Sequence, residues 1–290
     1  DALARLGLHA LVCFDSVAPP LYGERRLYDS LALLQEKARA QLQRLIDDHL
    51  AQRQLRKNSG ARLIAELLLD CAACRRSVAA QAVLEQGAIR ELHQAVRQRE
   101  QRCVEALLRL YAFRQDDAKA DELPLLDGRW GDDLFNPETL KQLGVKVGGG
   151  MAAGAATGVG VDLLVGGITL GAAALIGAVL GGSAQTLRGY GARLKGKLKG
   201  QRELTVDDAV LRLLALRQQL LLQALEARGH AAVEAISLNT PQDASWREGK
   251  LPDALHKARA HPEWSSLNPG AQLEEGERQE QVQQLATELI

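Results

Sequence analysis

Methionine, aromatic residues and cysteine are all scarce in this 290-residue chain, and each scarcity excludes something. The one methionine is Met151 and the first residue is Asp1, so the sequence reads as a processed chain or a piece excised from a longer protein. Its first residues lack the basic stretch, apolar core and small-residue cleavage site of a secretory signal, which leaves excision as the simpler reading. Aromatics contribute only 3% while leucine and alanine dominate, a composition that favours helix over strand. Four cysteines, Cys13, Cys71, Cys74 and Cys103, are too few and too scattered to staple a secreted fold of this size, and they fit a reducing cytoplasm. An excess of one charge is missing as well. Lysine and arginine total 36 and aspartate and glutamate total 36, so no net field draws the chain to nucleic acid, which is not expected as a partner.

Catalytic motifs are also wanting. No window has a glycine, four residues and then Gly-Lys-Ser or Gly-Lys-Thr, so the chain holds no P-loop, and neither a Gly-x-Ser-x-Gly elbow nor a His-Glu-x-x-His helix occurs. His9 and Cys13 lie four apart on an expected strand, about 13 Å, too far for a base and its nucleophile. Cys71-Ala-Ala-Cys74 has the spacing of half a zinc site, but no second pair follows, and beside Leu67-Leu68-Leu69 the two read as small core residues of a helix. His49 and His93 read as half-exposed helix residues. No catalytic, metal or cofactor residue is assigned to this chain.

What is present is organised in six stretches. Residues 1–22 hold the best strand, Gly7–Ser16, followed by the turn-prone Ala18-Pro19-Pro20. One strand leaves backbone groups unpaired on both edges, so its partners are expected in a sheet domain upstream. Residues 23–122 form a long-helix region with apolar positions at Leu31, Leu34, Ala38, Leu42 and Leu45, broken at Asn58-Ser59-Gly60 and again near Gln86-Gly87. Residues 123–136 are a connector containing Trp130 and Phe135. Residues 137–200 begin with a helix capped by Asn136 and opened by Pro137 and Glu138, then enter an apolar hairpin. Residues 201–239 carry a leucine-rich helix introduced by the capping box Thr205-Val-Asp-Asp208. Residues 240–290 read as a looser polar tail with a short helix near 273–290. The fold class is therefore mainly α, with long antiparallel helices around a glycine-zipper hairpin and a short N-terminal strand left over from an upstream α/β domain.

The hairpin carries the most information. Between Lys146 and Arg188 lie 41 residues of which Asp162 alone is charged. Gly150, Gly154 and Gly158 are spaced by four, and Gly167–Gly171 and Gly177–Gly181 repeat the spacing, so small residues line a helix face on each side of Asp162, which is expected at the hairpin turn. Glycine costs a helix about 1 kcal/mol relative to alanine, so close packing or lipid must compensate. Leu163–Ser183 is 21 uncharged residues, about 31 Å as helix, enough to cross a hydrocarbon core of about 30 Å. Lys141 and Lys146 precede the run, and Arg188, Arg193, Lys195, Lys197 and Lys199 follow it, a set suited to anionic headgroups. Two environments stay open: membrane insertion or docking at the cytoplasmic face, and a water-soluble hairpin sealed among the long helices.

These features resemble a bacterial family in which an Era/TrmE-type P-loop GTPase domain precedes a C-terminal domain of unknown function about this long. The resemblance rests on Ala2–Val17, on Gly23-Glu-Arg-Arg-Leu-Tyr28 and on the glycine-rich segment, and it spans essentially the whole chain. It implies that residues 8–16 are the last strand of the GTPase sheet and that the helix from Glu24 closes that domain. GTP and magnesium would then belong to the upstream domain and not to this chain. The expected function is a non-catalytic helical module coupled to that domain and to a membrane, with a soluble module binding a protein partner or its own copies as the alternative.

Overall fold

A computed structural model describes residues 21–79, 82–112, 125, 129–136, 139, 161–164, 201–227, 246–270 and 275–290. The protein is mainly helical. Among the described residues, helices α1 (Leu21–Leu34), α2 (Arg39–Ala73), α3 (Ala82–Leu110), α4 (Asp208–Ala227), α5 (Asp253–Ala260) and α6 (Glu275–Glu288) accompany strands β1 (Arg75–Ala79), β2 (Val161–Leu164) and β3 (Gln201–Val206). The expected N-terminal strand lies outside the described residues.

Helix α2 is the axis of the molecule, and α1, α3, α4, α5 and α6 all pack on it. It does not break at Asn58-Ser59-Gly60. At 35 residues it runs straight through, because Gly60 is where another helix comes closest: a Cβ there would lie 2.6 Å from Leu222 Cδ1 on α4 and 3.5 Å from Leu107 Cδ2 on α3. Helix α3 likewise passes through Gly87, where a Cβ would meet nothing within 4 Å. The real interruption comes at Cys74, whose φ of −66° and ψ of 133° turn the chain into β1. Between α1 and α2 a 3-10 turn at Glu36–Ala38 closes an antiparallel helix pair, with Tyr28 and His49 edge to face at 6.3 Å.

The core is leucine and alanine, as composition requires. Ile64, Leu67, Leu68 and Leu69 of α2, Leu92 and Leu107 of α3, and Leu211, Leu213 and Leu214 of α4 are fully buried. Each such side chain contributes roughly 1.5–3 kcal/mol of hydrophobic stabilisation. The connector is part of this core, since Leu125, Leu134 and Phe135 are buried and Phe135 stacks on His93 at 3.7 Å. The described part of the C-terminal stretch, residues 246–270 and 275–290, is packed and not loose. Trp246, Leu251, Leu255, Trp264, Val282 and Leu285 are buried, and α5 and α6 both lie on α2. Rare tryptophans and small alanines anchor it where leucine patterning is weak.

The sheet has the order β1-β3-β2 and both pairings are antiparallel. Arg75 faces Thr205 and Ala79 faces Gln201, while Val161 faces Val206 and Leu164 faces Glu203. Thr205 is therefore a strand residue and not a helix cap. The cap of α4 is Asp207, whose Oδ1 accepts a hydrogen bond from Ala209 N at 2.7 Å. Two acidic residues in succession made the cap ambiguous by two positions.

Candidate functional site

The sheet sits where β1 leaves the end of α2, and polar side chains fasten it there. Asp70 occupies the last turns of α2 and is 2% exposed. Its Oδ2 accepts from Arg99 Nε of α3 at 2.6 Å, and its Oδ1 accepts from Ser266 N at 2.9 Å and from Arg278 Nη2 of α6 at 3.4 Å. Its carbonyl accepts from Ser265 Oγ at 2.7 Å. Burial opposes the charge of Arg99, and the attraction and hydrogen bond of Asp70 outweigh it, holding the guanidinium above its ordinary range. A buried carboxylate held by two arginines and a backbone N–H is engaged within the fold and not presented to a substrate. It is a clasp joining three helices.

Asn268 repeats the device one turn on. Its Oδ1 accepts from Arg75 N at 2.8 Å and Arg76 Nη1 at 3.3 Å, and its Nδ2 donates to Ala73 O at 3.1 Å and Pro262 O at 2.7 Å. Arg75 also pairs with Glu203 of β3 at 2.8 Å and donates to the Arg259 carbonyl. Arg259 of α5 donates to Val206 O at 3.0 Å and pairs with Asp208. The start of β1 and the end of β3 are thus tied to the C-terminal helices by arginines.

A second buried cluster lies between α3 and α4. Arg217 Nη1 stands 3.6 Å from Glu100 Oε1, its Nη2 donates to Asp132 O at 2.7 Å, and its guanidinium lies 5.3 Å from the Trp130 ring. Gln218 Nε2 donates to the same Glu100 oxygen at 3.3 Å. Burial pushes the Glu100 carboxyl up, and Arg217 only partly offsets it.

The thiols are inert by environment. Cys71, Cys74 and Cys103 are free and buried, and burial raises Cys71, pushes Cys74 up to about 11 and Cys103 up to about 12. Cys71 and Cys74 are small residues inside the core at the end of α2. Among the described residues no cluster of three or more histidine, cysteine, aspartate or glutamate side chains could hold a metal ion.

Most of the sequence-assigned residues fall elsewhere. Gly150, Gly154, Gly158, Gly167, Gly171, Gly177, Gly181, Arg188, Arg193, Lys195, Lys197 and Lys199 lie outside the described residues. Asp162 is a correction. It is not the turn of a helical hairpin but an interior residue of β2, with its Cα opposite Thr205. Leu163 and Leu164 are strand residues too, so they are taken out of the 21-residue helical span that would have started at Leu163. The β-branched Val161 favours an extended backbone, and β3 supplies the partner.

The consequence concerns the segment that follows. Residues 165–200, 36 in all, leave β2 and return into β3, and those strands are neighbours. Directly opposed antiparallel residues are about 4.5–5.5 Å apart at Cα. Whatever path the 36 residues take, they start and finish at the same end of two neighbouring strands, β2 at the edge of the sheet and β3 in its centre. Asp70 and Asn268, which help to hold that sheet, were missed in the sequence. The signal in the sequence is a lone carboxylate in the apolar run Leu67-Leu-Leu-Asp-Cys-Ala-Ala73. Among the described residues, no helix is long and apolar enough to cross a membrane.

The fold and this site define a helical module built on one long axial helix, with a small sheet that holds both ends of a glycine-rich excursion. The chain belongs to the family described as Domain of unknown function (DUF3482), which it matches over residues 1–287. No curated protein and no solved structure matches it.

Proposed function

We propose that the chain is a non-catalytic helical module that works with a P-loop GTPase domain outside it and meets a membrane through residues 165–200 as a re-entrant hairpin. The observation that carries the membrane part is the run of 41 residues between Lys146 and Arg188 with Asp162 as its one charge, and the pairing of Leu164 with Glu203 limits how that run can enter a bilayer. In a bilayer, a segment that leaves and returns at one end of two neighbouring strands crosses an even number of times or dips into one face. Two full crossings need about 20 residues each, and 36 residues fall short, with the uncharged part ending before Arg188. Within a bilayer, that leaves a dip into one face. The basic residues Arg188, Arg193, Lys195, Lys197 and Lys199 then lie on the returning leg at the headgroups of the cytoplasmic leaflet, each contributing about 1 kcal/mol there.

The GTPase coupling rests on the resemblance carried by Ala2–Val17 and Gly23–Tyr28, and it assigns GTP and magnesium to the partner domain. Isothermal titration of this chain with GTP and magnesium should give no heat of binding; micromolar affinity would overturn that division. Membrane contact is tested by single cysteines placed at Lys146 and Lys195 and labelled from each side of sealed vesicles. Both should react from the cytoplasmic side, and the chain should stay in the membrane after alkaline carbonate. Labelling from opposite sides, or complete extraction, would reject the re-entrant hairpin, and complete extraction favours the soluble protein-binding alternative.

A further inference from the structure

Before it reaches the core, α2 carries a row of residues complementary to itself. Between Arg39 and Ser59 its inner side, Ile46 with the half-buried His49, Leu50, Arg53 and Lys57, lies against α1. On the opposite side Gln41, Leu45, Asp48, Gln52, Leu55 and Ser59 are all exposed, and they follow one another by four, three, four, three and four residues. That alternation is the spacing of a two-helix seam, in which each position meets a residue of the facing helix. Leu45 is 40% exposed and Leu55 64%. The other exposed leucines among the described residues, Leu31, Leu33 and Leu34, stand on α1 and take no part in the row. The row has the same spacing read from either end, with its midpoint at residue 50. Turned end for end on a second copy, Leu45 meets Leu55, Asp48 meets Gln52 and Gln41 meets Ser59, so apolar falls on apolar and polar on polar.

We infer that this face of α2 binds a second copy of the chain, the two helices running antiparallel along residues 41–59 about a two-fold axis at residue 50. A two-fold interface requires a surface that complements itself, and this row does. Charge sets the direction. A parallel pairing would also stack leucine on leucine, but it would set Asp48 against its own counterpart, whereas the antiparallel one offers each carboxylate the amide N–H of Gln52. Bulk sets the same direction. The residues of α2 that other helices cover begin at Gly60, apart from Ile46, so parallel copies would crowd two bodies at one end. Antiparallel copies hold the two Gly60 positions about 30 Å apart along the seam, with the two leucine layers about 15 Å apart between them. A seam this short, polar at its centre, is smaller than the roughly 20–30 residues a side of a stable interface. The chain is therefore a monomer when dilute, and the pairing grows with concentration. It does not depend on the membrane reading.

The test uses the full chain in two measurements without lipid, sedimentation velocity at rising concentration and disulfide trapping. For trapping, Leu45→Cys and Leu55→Cys are each made in a Cys13→Ala background and mildly oxidised, separately and mixed, then read on a non-reducing gel. The buried thiols at 71, 74 and 103 stay out of the exchange under native conditions. The sedimentation coefficient should rise from that of a monomer to that of a dimer, and the mixture should cross-link at least fivefold more than either variant alone. Leu45→Glu/Leu55→Glu should stay monomeric with an unchanged far-ultraviolet circular dichroism spectrum, since both side chains are exposed. A chain that stays monomeric up to its solubility overturns the inference. So does a dimer that Leu45→Cys traps by itself, which would be parallel, and so does one that Leu45→Glu/Leu55→Glu leaves intact, which would pair through another surface.

Discussion

The two halves of α2 share one unbroken backbone and have opposite surroundings. From Arg39 to Ser59 only Ile46 is buried, whereas from Gly60 to Ala73 every residue is buried except Arg62, Leu63 and Glu66. The first half is held by α1 and by local pairs such as Gln43 with Asp47 and Gln54 with Asn58, at 2.9 and 2.8 Å. Such i,i+4 pairs contribute about 0.2–0.5 kcal/mol each. The second half is held by α3, α4, α5 and α6 and by the Asp70 clasp. Helical pattern alone does not distinguish these situations. What distinguishes them is whether other elements come back to cover the face, here α3 next in the chain and α4, α5 and α6 more than a hundred positions away.

That contrast can be broken at its strongest point. Asp70→Ala leaves Arg99 and Arg278 buried without their carboxylate and should destabilise the chain by about 3–5 kcal/mol in urea denaturation. A loss under about 1 kcal/mol would mean that water replaces the carboxylate and that the clasp is not what holds the buried half. Alkaline pH strains the same region. Folding holds Cys74 and Cys103 protonated above their ordinary 9.0, at about 11 and about 12. Between pH 9 and those values the unfolded chain loses protons that the folded chain keeps, so stability falls as pH rises, by on the order of a few kcal/mol. Urea midpoints from pH 8 to 11 should decline, and a flat profile would show that the thiols are solvated.

Two helical glycines, Gly60 and Gly87, sharpen the comparison because they predict opposite signs. Gly60→Val pushes side-chain atoms against Leu222 and should cost about 1–3 kcal/mol of overpacking, more than the helix propensity it gains. Gly87→Ala has open space and should stabilise α3 by up to about 1 kcal/mol, read as a rise in melting temperature. Least of all, Leu55→Gln in the exposed half should change stability by no more than about 0.5 kcal/mol, with Leu55 already 64% exposed. A larger loss there would mean that something covers this face.

How much of this the sequence displayed depends on what each residue answers to. The helical class and the leucine-rich α4 follow from composition and periodicity, which are local. The continuity of α2 does not, because Gly60 looks like a helix stop until Leu222 is seen against it. Strand β1, Arg75-Arg-Ser-Val-Ala79, carries only one β-branched residue and exists because β3 pairs with it. Asp162 looked like a turn because an isolated charge between glycine-rich runs is read against a helical background, and its real partner is 43 positions on at Thr205. The packed C-terminal stretch was hidden by its prolines and charges, although Trp246 and Trp264 turn out to be its anchors. The clasp was legible only as an oddity, one acid among leucines.

The central claim is that the glycine-rich excursion begins and ends at one end of the β2–β3 pair while the chain is on a membrane. The direct test is a cross-strand disulfide between cysteines at Leu164 and Glu203 in a Cys13→Ala background, formed under mild oxidation with the chain bound to phosphatidylglycerol vesicles and read on a non-reducing gel. The account predicts the same intramolecular cross-link on vesicles as in solution, with unchanged flotation. A cross-link that forms in solution and is lost on the membrane would contradict it, since the two ends would then have parted.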